Sequence, residues 1–244
     1  MVSSSNGVIN NKVGSSVSGV TNTFTVTNPS NTASSAARET ITVGGGTAAD
    51  PTLNFNVSGV TDWEMGIDNS VSDNLTISQG TALGTNDVWR MTTAGQRTLP
   101  LQCAFDVYLS ASVLNVTGDG TGYTILFDTK RQDVGNNYNP ATGLFTAPVT
   151  GTYLLVATAD LDGITAGMTT SAIGIGLSSG VSYQGNGYNP SGTFNTLAIN
   201  VQACARMTAG TTAGISVAFS GGAKVVDVLG SAGSITHFSG FLLG

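Results

Sequence analysis

What most limits the folds open to this chain is its lack of helical periodicity. Apolar residues alternate with polar ones, or cluster in short runs, between Gly, Asn, Asp and Pro. Alternation at period two sends successive side chains to opposite faces of a strand, and Gly, Asn and Pro supply the turns between strands. The one helix-tolerant segment is short, Ser34-Ser35-Ala36-Ala37-Arg38-Glu39. An all-β chain is therefore expected. The 33 glycines point the same way, because Gly weakens helix interiors.

Charge narrows the function classes. Only 9 % of residues are charged and the formal net charge is −6. A nucleic-acid binder needs a basic stripe to displace counterions from phosphates, and eight scattered Lys and Arg give none. An anionic membrane surface is disfavoured for the same reason. No apolar run approaches the roughly 20 residues that a spanning helix needs. Met1 to Ser16 is polar and lacks the apolar stretch of a secretory signal, so export by the standard route is not expected. Cys103 and Cys204 are too few and too far apart for a disulfide framework or a zinc site. Two buried thiols are expected, with a single disulfide if they face each other.

Along the chain three parts are expected. Residues 1–35 form an N-terminal attachment arm, of which 1–22 are flexible or partner-dependent, too poor in apolar surface to order unless docked. Within it Thr23-Phe24-Thr25-Val26-Thr27-Asn28-Pro29-Ser30-Asn31 reads as one strand ending in an Asn-Pro turn. Residues 36–98 carry about five short strands: Thr40–Val43, Leu53–Val57, Trp63–Ile67, Leu75–Ile77 and Val88–Met91. A unit this small buries little by itself, and intertwining with copies of the same chain is the simplest cover for its edges. Residues 99–103 read as a connector. Residues 104–244 are dense in strand signals, at a size that suits an antiparallel sandwich.

Spacing in that last part carries a resemblance. Phe127, Asp133, Tyr138, Phe145, Gly151 and Tyr153 follow one another at the intervals found in the globular head of complement component one q, a family that shares its jelly roll with tumour necrosis factor. Ala104-Phe105-Asp106-Val107 resembles that family's first strand. Met207-Thr208-Ala209-Gly210-Thr211 resembles its Leu-x-x-Gly-Asp turn. Phe238-Ser239-Gly240-Phe241-Leu242-Leu243 resembles its closing strand. The resemblance implies a jelly roll with Phe105, Phe127, Tyr138, Phe145, Gly151, Tyr153, Phe238, Gly240 and Phe241 as its structural core, and it implies a homotrimer. Phe145 and Tyr153 are expected to bracket a hairpin. Ala157 and Thr211 depart from the family pattern, which puts any function of those positions in doubt. The middle part is similar to a module of bacteriophage and other viral fibre proteins, through Trp63-Glu64-Met65-Gly66-Ile67-Asp68-Asn69-Ser70, Asp73–Ser78 and Leu83–Val88. That resemblance implies a virion surface protein with a trimeric neck, whose arm docks on a capsid or tail protein. A bacterial surface protein with the same modules is the alternative origin.

Chemistry is sparse. The only two glutamates, Glu39 and Glu64, lie in the middle part, and most aspartates occupy turn positions. A pair of carboxylates flanking a glycosidic bond is not indicated, and no enzyme is expected. His237 is the single histidine, without a nucleophile-elbow motif, and reads as structural. Asp160-Leu161-Asp162-Gly163 starts like a calcium loop but lacks the later ligands, so a turn is the better reading and no cofactor is expected. The most suggestive feature is an internal echo: Gly135-Asn136-Asn137-Tyr138-Asn139-Pro140 recurs as Gly185-Asn186-Gly187-Tyr188-Asn189-Pro190. If the two turns lie together, their amides and rings suit sugar hydroxyls and apolar sugar faces. Asn136, Asn137, Tyr183, Asn186 and Tyr188 are the candidate receptor contacts. The expected role is non-catalytic attachment to a host surface glycan or protein, the alternative a purely structural capsid head-fibre or decoration protein.

Overall fold

The computed structural model describes residues 25–33, 35–185, 187, 192–193, 195–233 and 235–244, and every regular element among them is a β-strand. No helix among the described residues is long and apolar enough to cross a membrane. The strands are β1 (Thr52–Val57), β2 (Thr61–Asp68), β3 (Asn74–Gln79), β4 (Asp87–Met91), β5 (Arg97–Thr98) and β6 (Ala104–Tyr108). Then come β7 (Val113–Thr117), β8 (Gly122–Thr124), β9 (Thr129–Asp133), β10 (Tyr138–Asn139), β11 (Leu144–Thr146) and β12 (Gly151–Asp162). The last are β13 (Thr170–Leu177), β14 (Ser182–Gln184), β15 (Leu197–Met207), β16 (Thr212–Ser220), β17 (Val226–Val228) and β18 (His237–Leu242).

From β6 onward the strands form two antiparallel sheets. One runs β10-β11-β16-β13-β14, with β8 also on β16. The other runs β7-β17-β12-β18-β6-β9, with β15 along the free edge of β12. The pairings nest in sequence: β6 with β18 encloses β11 with β16, which encloses β12 with β15. Such nesting wraps a folded-over ribbon into two sheets, which is a jelly roll. The expected hairpin between Phe145 and Tyr153 does not form. β11 lies in one sheet and β12 in the other, so the intervening turn crosses the sandwich. The two rings still meet, edge to face at 5.6 Å, from opposite sheets.

Period-two alternation fills the interior. On β12 every second residue is buried, from Gly151 through Tyr153, Leu155, Ala157 and Ala159 to Leu161. Phe105 centres an aromatic cluster, 4.5 Å from Phe145, 4.8 Å from Phe238 and 6.1 Å from Tyr138. Phe127 joins it through Phe238 at 5.9 Å. Burying each such ring contributes about 1.5–3 kcal/mol. Gly240 is required by this packing, since a Cβ there would stand 2.7 Å from Leu155 and 2.8 Å from Phe105. The same parity sends Phe241 outward, 44 % exposed, so it is not a core residue as expected. It also sends Cys204 outward. Cys103 is buried and both thiols are free, so the expectation of two buried thiols holds for one only.

Residues 52–98 form a separate five-stranded antiparallel sheet in the order β1-β2-β3-β4-β5. Its two faces are inverted relative to a usual half-buried sheet. The rows Asn54–Glu64–Ser78–Asp87 and Asp68–Asn74 are polar. Yet Asp68, Asn74, Thr76, Ser78 and Asp87 are all buried. Asp87 accepts bonds from the Ser78 hydroxyl, the Arg90 guanidinium and the Gly84 amide at 2.9 Å. Opposite them, the rows Phe55–Trp63 and Leu53–Met65–Ile77–Trp89 are apolar and partly or largely exposed. Expected strands at 23–31 and 40–43 are absent among the described residues, where 25–31 and 40–43 carry no ladder. Alternation alone makes no strand without a neighbouring backbone to bond. Nor do the described residues of the 34–39 segment form a helix.

Candidate functional site

The first of the two echoed turns builds an open cleft of about 370 Å³, lined by Lys130, Asn136, Asn137, Tyr138, Asn139, Pro140 and Thr146. Its scaffold is the Asp133 carboxylate at the end of β9. That group accepts the backbone N–H of Asn137 at 2.8 Å and of Tyr138 at 3.1 Å, and the Lys130 ammonium at 2.7 Å. The chain can double back so tightly because Gly135 and Asn136 hold φ of +85° and +55°. Asn is among the few side chains that tolerate this left-handed region. Lys130 reaches on to the Asn136 side-chain oxygen at 2.6 Å. The Asn137 carbonyl accepts from Thr146 N–H at 2.8 Å, which ties the turn to β11. On the far wall Asn139 opens a turn in which Gly143, at φ +71°, donates to the Asn139 carbonyl at 2.9 Å.

Tyr138 is not a platform. It is 2 % exposed, its ring is stacked in the core, and its hydroxyl accepts the Phe127 N–H at 3.2 Å. Burial pushes that hydroxyl well above its ordinary pKa, and the Phe127 amide offsets only part of this. Beneath the turn the Cys103 thiol is pushed up to about 11 by burial and by the Asp133 charge, with an opposing contribution from Asn137. The cleft thus offers one ammonium and several amide groups on a backbone held by the Asp133 carboxylate. Beside it, Arg131 lies 3.8 Å from Asp106 and 5.0 Å above the Tyr108 ring.

Of the expected contacts, Asn136 and Asn137 line the cleft and Tyr183 does not. Tyr183 sits half-buried on β14, against the core. Asn186 and Tyr188 lie outside the described residues. Of the second turn only Gly185 and Gly187 are described; Gly185 lies against Asn200 and Val201 of β15, whereas the Asn136 turn leaves β9. Those strands are four spacings apart across the sheet, about 19 Å. Sequence reasoning missed Lys130, Asn139 and Thr146 as lining residues. Lys130 was readable in part, because a lysine three residues before an aspartate can fold back on it. His237 sits half-buried on β18, between Thr158 and Tyr108. After Asp162 the chain bends at Gly163, whose N–H bonds the Asp162 carboxylate at 2.6 Å. Among the described residues no three His, Cys, Asp or Glu side chains gather as metal ligands would.

The sandwich has solved counterparts. The globular domain of zebrafish complement 1qA protein matches 59 % of this chain and 98 % of its own, at 20 % identity and a TM-score of 0.43. Eiger TNF from S. frugiperda matches 59 % and 93 %, at 12 % identity and 0.42. Murine APRIL matches 58 % and 99 %, at 10 % identity and 0.41. No family model matches the chain, and no curated protein matches it.

Proposed function

We propose that this chain is a non-catalytic binding protein of a virion appendage, attaching the particle to a host surface through a self-associated jelly-roll head. The observation that carries the binding reading is the cleft at residues 130–146. It joins an ammonium to side-chain amides on a turn pinned by Asp133, a combination suited to glycan hydroxyls and carboxylates. Weak single sites of this kind gain strength from several heads engaging at once.

Support for self-association comes from the outward face of the β12 sheet. Ala104, Phe241, Leu154 and Cys204 stand side by side across four strands as an apolar row. The head resemblance implies that three copies meet. The virion setting, with the arm docked on a capsid or tail protein, rests on the resemblance of the middle part to fibre modules.

The test is an adsorption-competition assay with the purified full chain, alongside a glycan array. Competition that is lost in Lys130→Ala and Asn136→Ala variants of unchanged melting temperature supports the reading. Well-folded protein that neither binds cells nor competes overturns it and leaves the capsid decoration role.

A further inference from the structure

The five-stranded sheet buries the polar side of β3, with Asp68 and Asp87 beside it, and leaves much of its apolar face open. Phe55 is 57 % exposed, Val57 58 %, Leu53 40 %, Leu75 38 % and Trp63 37 %. Trp89 lies in the same row as Leu53, through Met65 and Ile77. An aromatic side chain alone offers about 150–250 Å². The open part of this face therefore amounts to roughly several hundred Å², approaching the ~800 Å² that each partner gives to a specific interface. Scattered surface apolar residues need no explanation, but one contiguous sheet face does. Left in water it forgoes about 25 cal/mol for each Å².

We infer that this face is an interface between copies of the same chain, the apolar sides of their β1–β4 sheets packed against one another. The inference rests on the self-association proposed above and adds a second contact surface to it. Three observations select a copy over a foreign protein. The face carries no charge except Arg97 at its margin, in register with Met91, so it has little with which to choose a charged partner. The chain has a second open apolar surface, the row at Phe241, and one symmetric association can cover both. Only residues 99–103 separate β5 from β6. A connector that short raises the sheets of an associated head to about millimolar effective concentration, at which a modest patch suffices.

The protein's only two tryptophans, Trp63 and Trp89, both lie on this face, so unmodified full-length chain reports on it. Tryptophan emission and acrylamide quenching are measured together with mass by light scattering. An oligomer with blue-shifted emission, quenched severalfold less than the guanidinium-unfolded chain, is expected. Phe55→Asp should then raise quenching severalfold while the mass persists through the head. An oligomer whose tryptophans quench freely overturns this interface and leaves the self-associated head intact. A monomer with freely quenched tryptophans overturns both. A monomer with shielded tryptophans means that the chain covers the face itself, and also overturns the inference. Unchanged quenching in an associated Phe55→Asp protein overturns it as well.

Discussion

The head and the five-stranded sheet obey the same alternation to opposite ends. In the head, the apolar positions of β12, β15 and β16 face one another across two sheets, and both sets are dry. In the smaller sheet, one chain supplies a single layer. Its covered side is the polar one, with Asp87 under the Gly84 turn and Asp68 bonded to the Ser70 hydroxyl at 2.7 Å. Period two tells which residues share a face. It does not tell which face finds cover, because that depends on what lies opposite.

The comparison breaks most visibly at aromatic residues. Phe145→Ala removes a ring with no exposure from between Phe105 and Tyr153. We expect a loss of about 3–5 kcal/mol, read as a fall in the head's melting transition. Phe55→Ala should leave that transition in place and loosen only the contact between copies. Equal destabilisation of the head by both changes would show that the two regions do not act separately.

A smaller effect is expected at Gly240, where the limit is overpacking. The added methyl of Gly240→Ala meets Leu155, Phe105 and the Leu154 carbonyl, all within 3 Å. The cost should be about 1–3 kcal/mol by thermal melting. Gly176, on β13 of the opposite sheet, has nothing within 4 Å of an added Cβ and serves as the control.

The polar side of the small sheet gives a pH signature. Burial pushes the Asp87 carboxyl up, but bonds from Ser78, Arg90 and Gly84 and the Arg90 charge outweigh it, so its pKa falls below the ordinary aspartate value. A depressed carboxyl contributes stability that is complete above the ordinary value and is lost as the pH falls through the folded-state value. Asp87→Asn should therefore destabilise the sheet at neutral pH, by about 1–3 kcal/mol. The gap from the parent should close in acid below the ordinary aspartate range. An acid titration followed by tryptophan emission checks this, and a gap that widens in acid would contradict it.

Much of the head was legible because interior and period coincide there. Phe105, Phe127, Tyr138, Phe145, Tyr153 and Phe238, which the family resemblance implied as core, all lie in the buried cluster. Phe241 was readable too. With Phe238 and Gly240 turned inward on one strand, the next residue must turn out. The crossing at residues 147–150 was not, since a turn with Pro148 and Val149 serves a hairpin or a change of sheet equally well. At the cleft, Gly135-Asn136 announced a tight turn. That β9 and β15 lie four strands apart arises from strand order, to which local sequence is blind. Thr40–Val43 alternates as cleanly as Leu53–Val57, and only the latter has β2 beside it.

The least perturbing probe is thiol labelling, which changes no contact in the core. Cys103 and Cys204 differ in exposure. Cys103 is buried and its pKa is pushed up to about 11, so it presents almost no thiolate at pH 8. Cys204 is exposed on the outward row with Leu154 and Phe241. Cys103 should stay unlabelled until the head unfolds, whatever the state of association. Cys204 should label fast in dissociated chains and slowly in assembled ones, because the row it belongs to would then be covered. The ratio of the two Cys204 rates, measured by mass spectrometry across a dilution series, reports the head contact alone, while tryptophan quenching reports the small sheet alone. If both change at the same concentration, the two surfaces close in one step. If Cys204 becomes shielded at lower concentration than the tryptophans, the head assembles first and the sheet follows through the short connector.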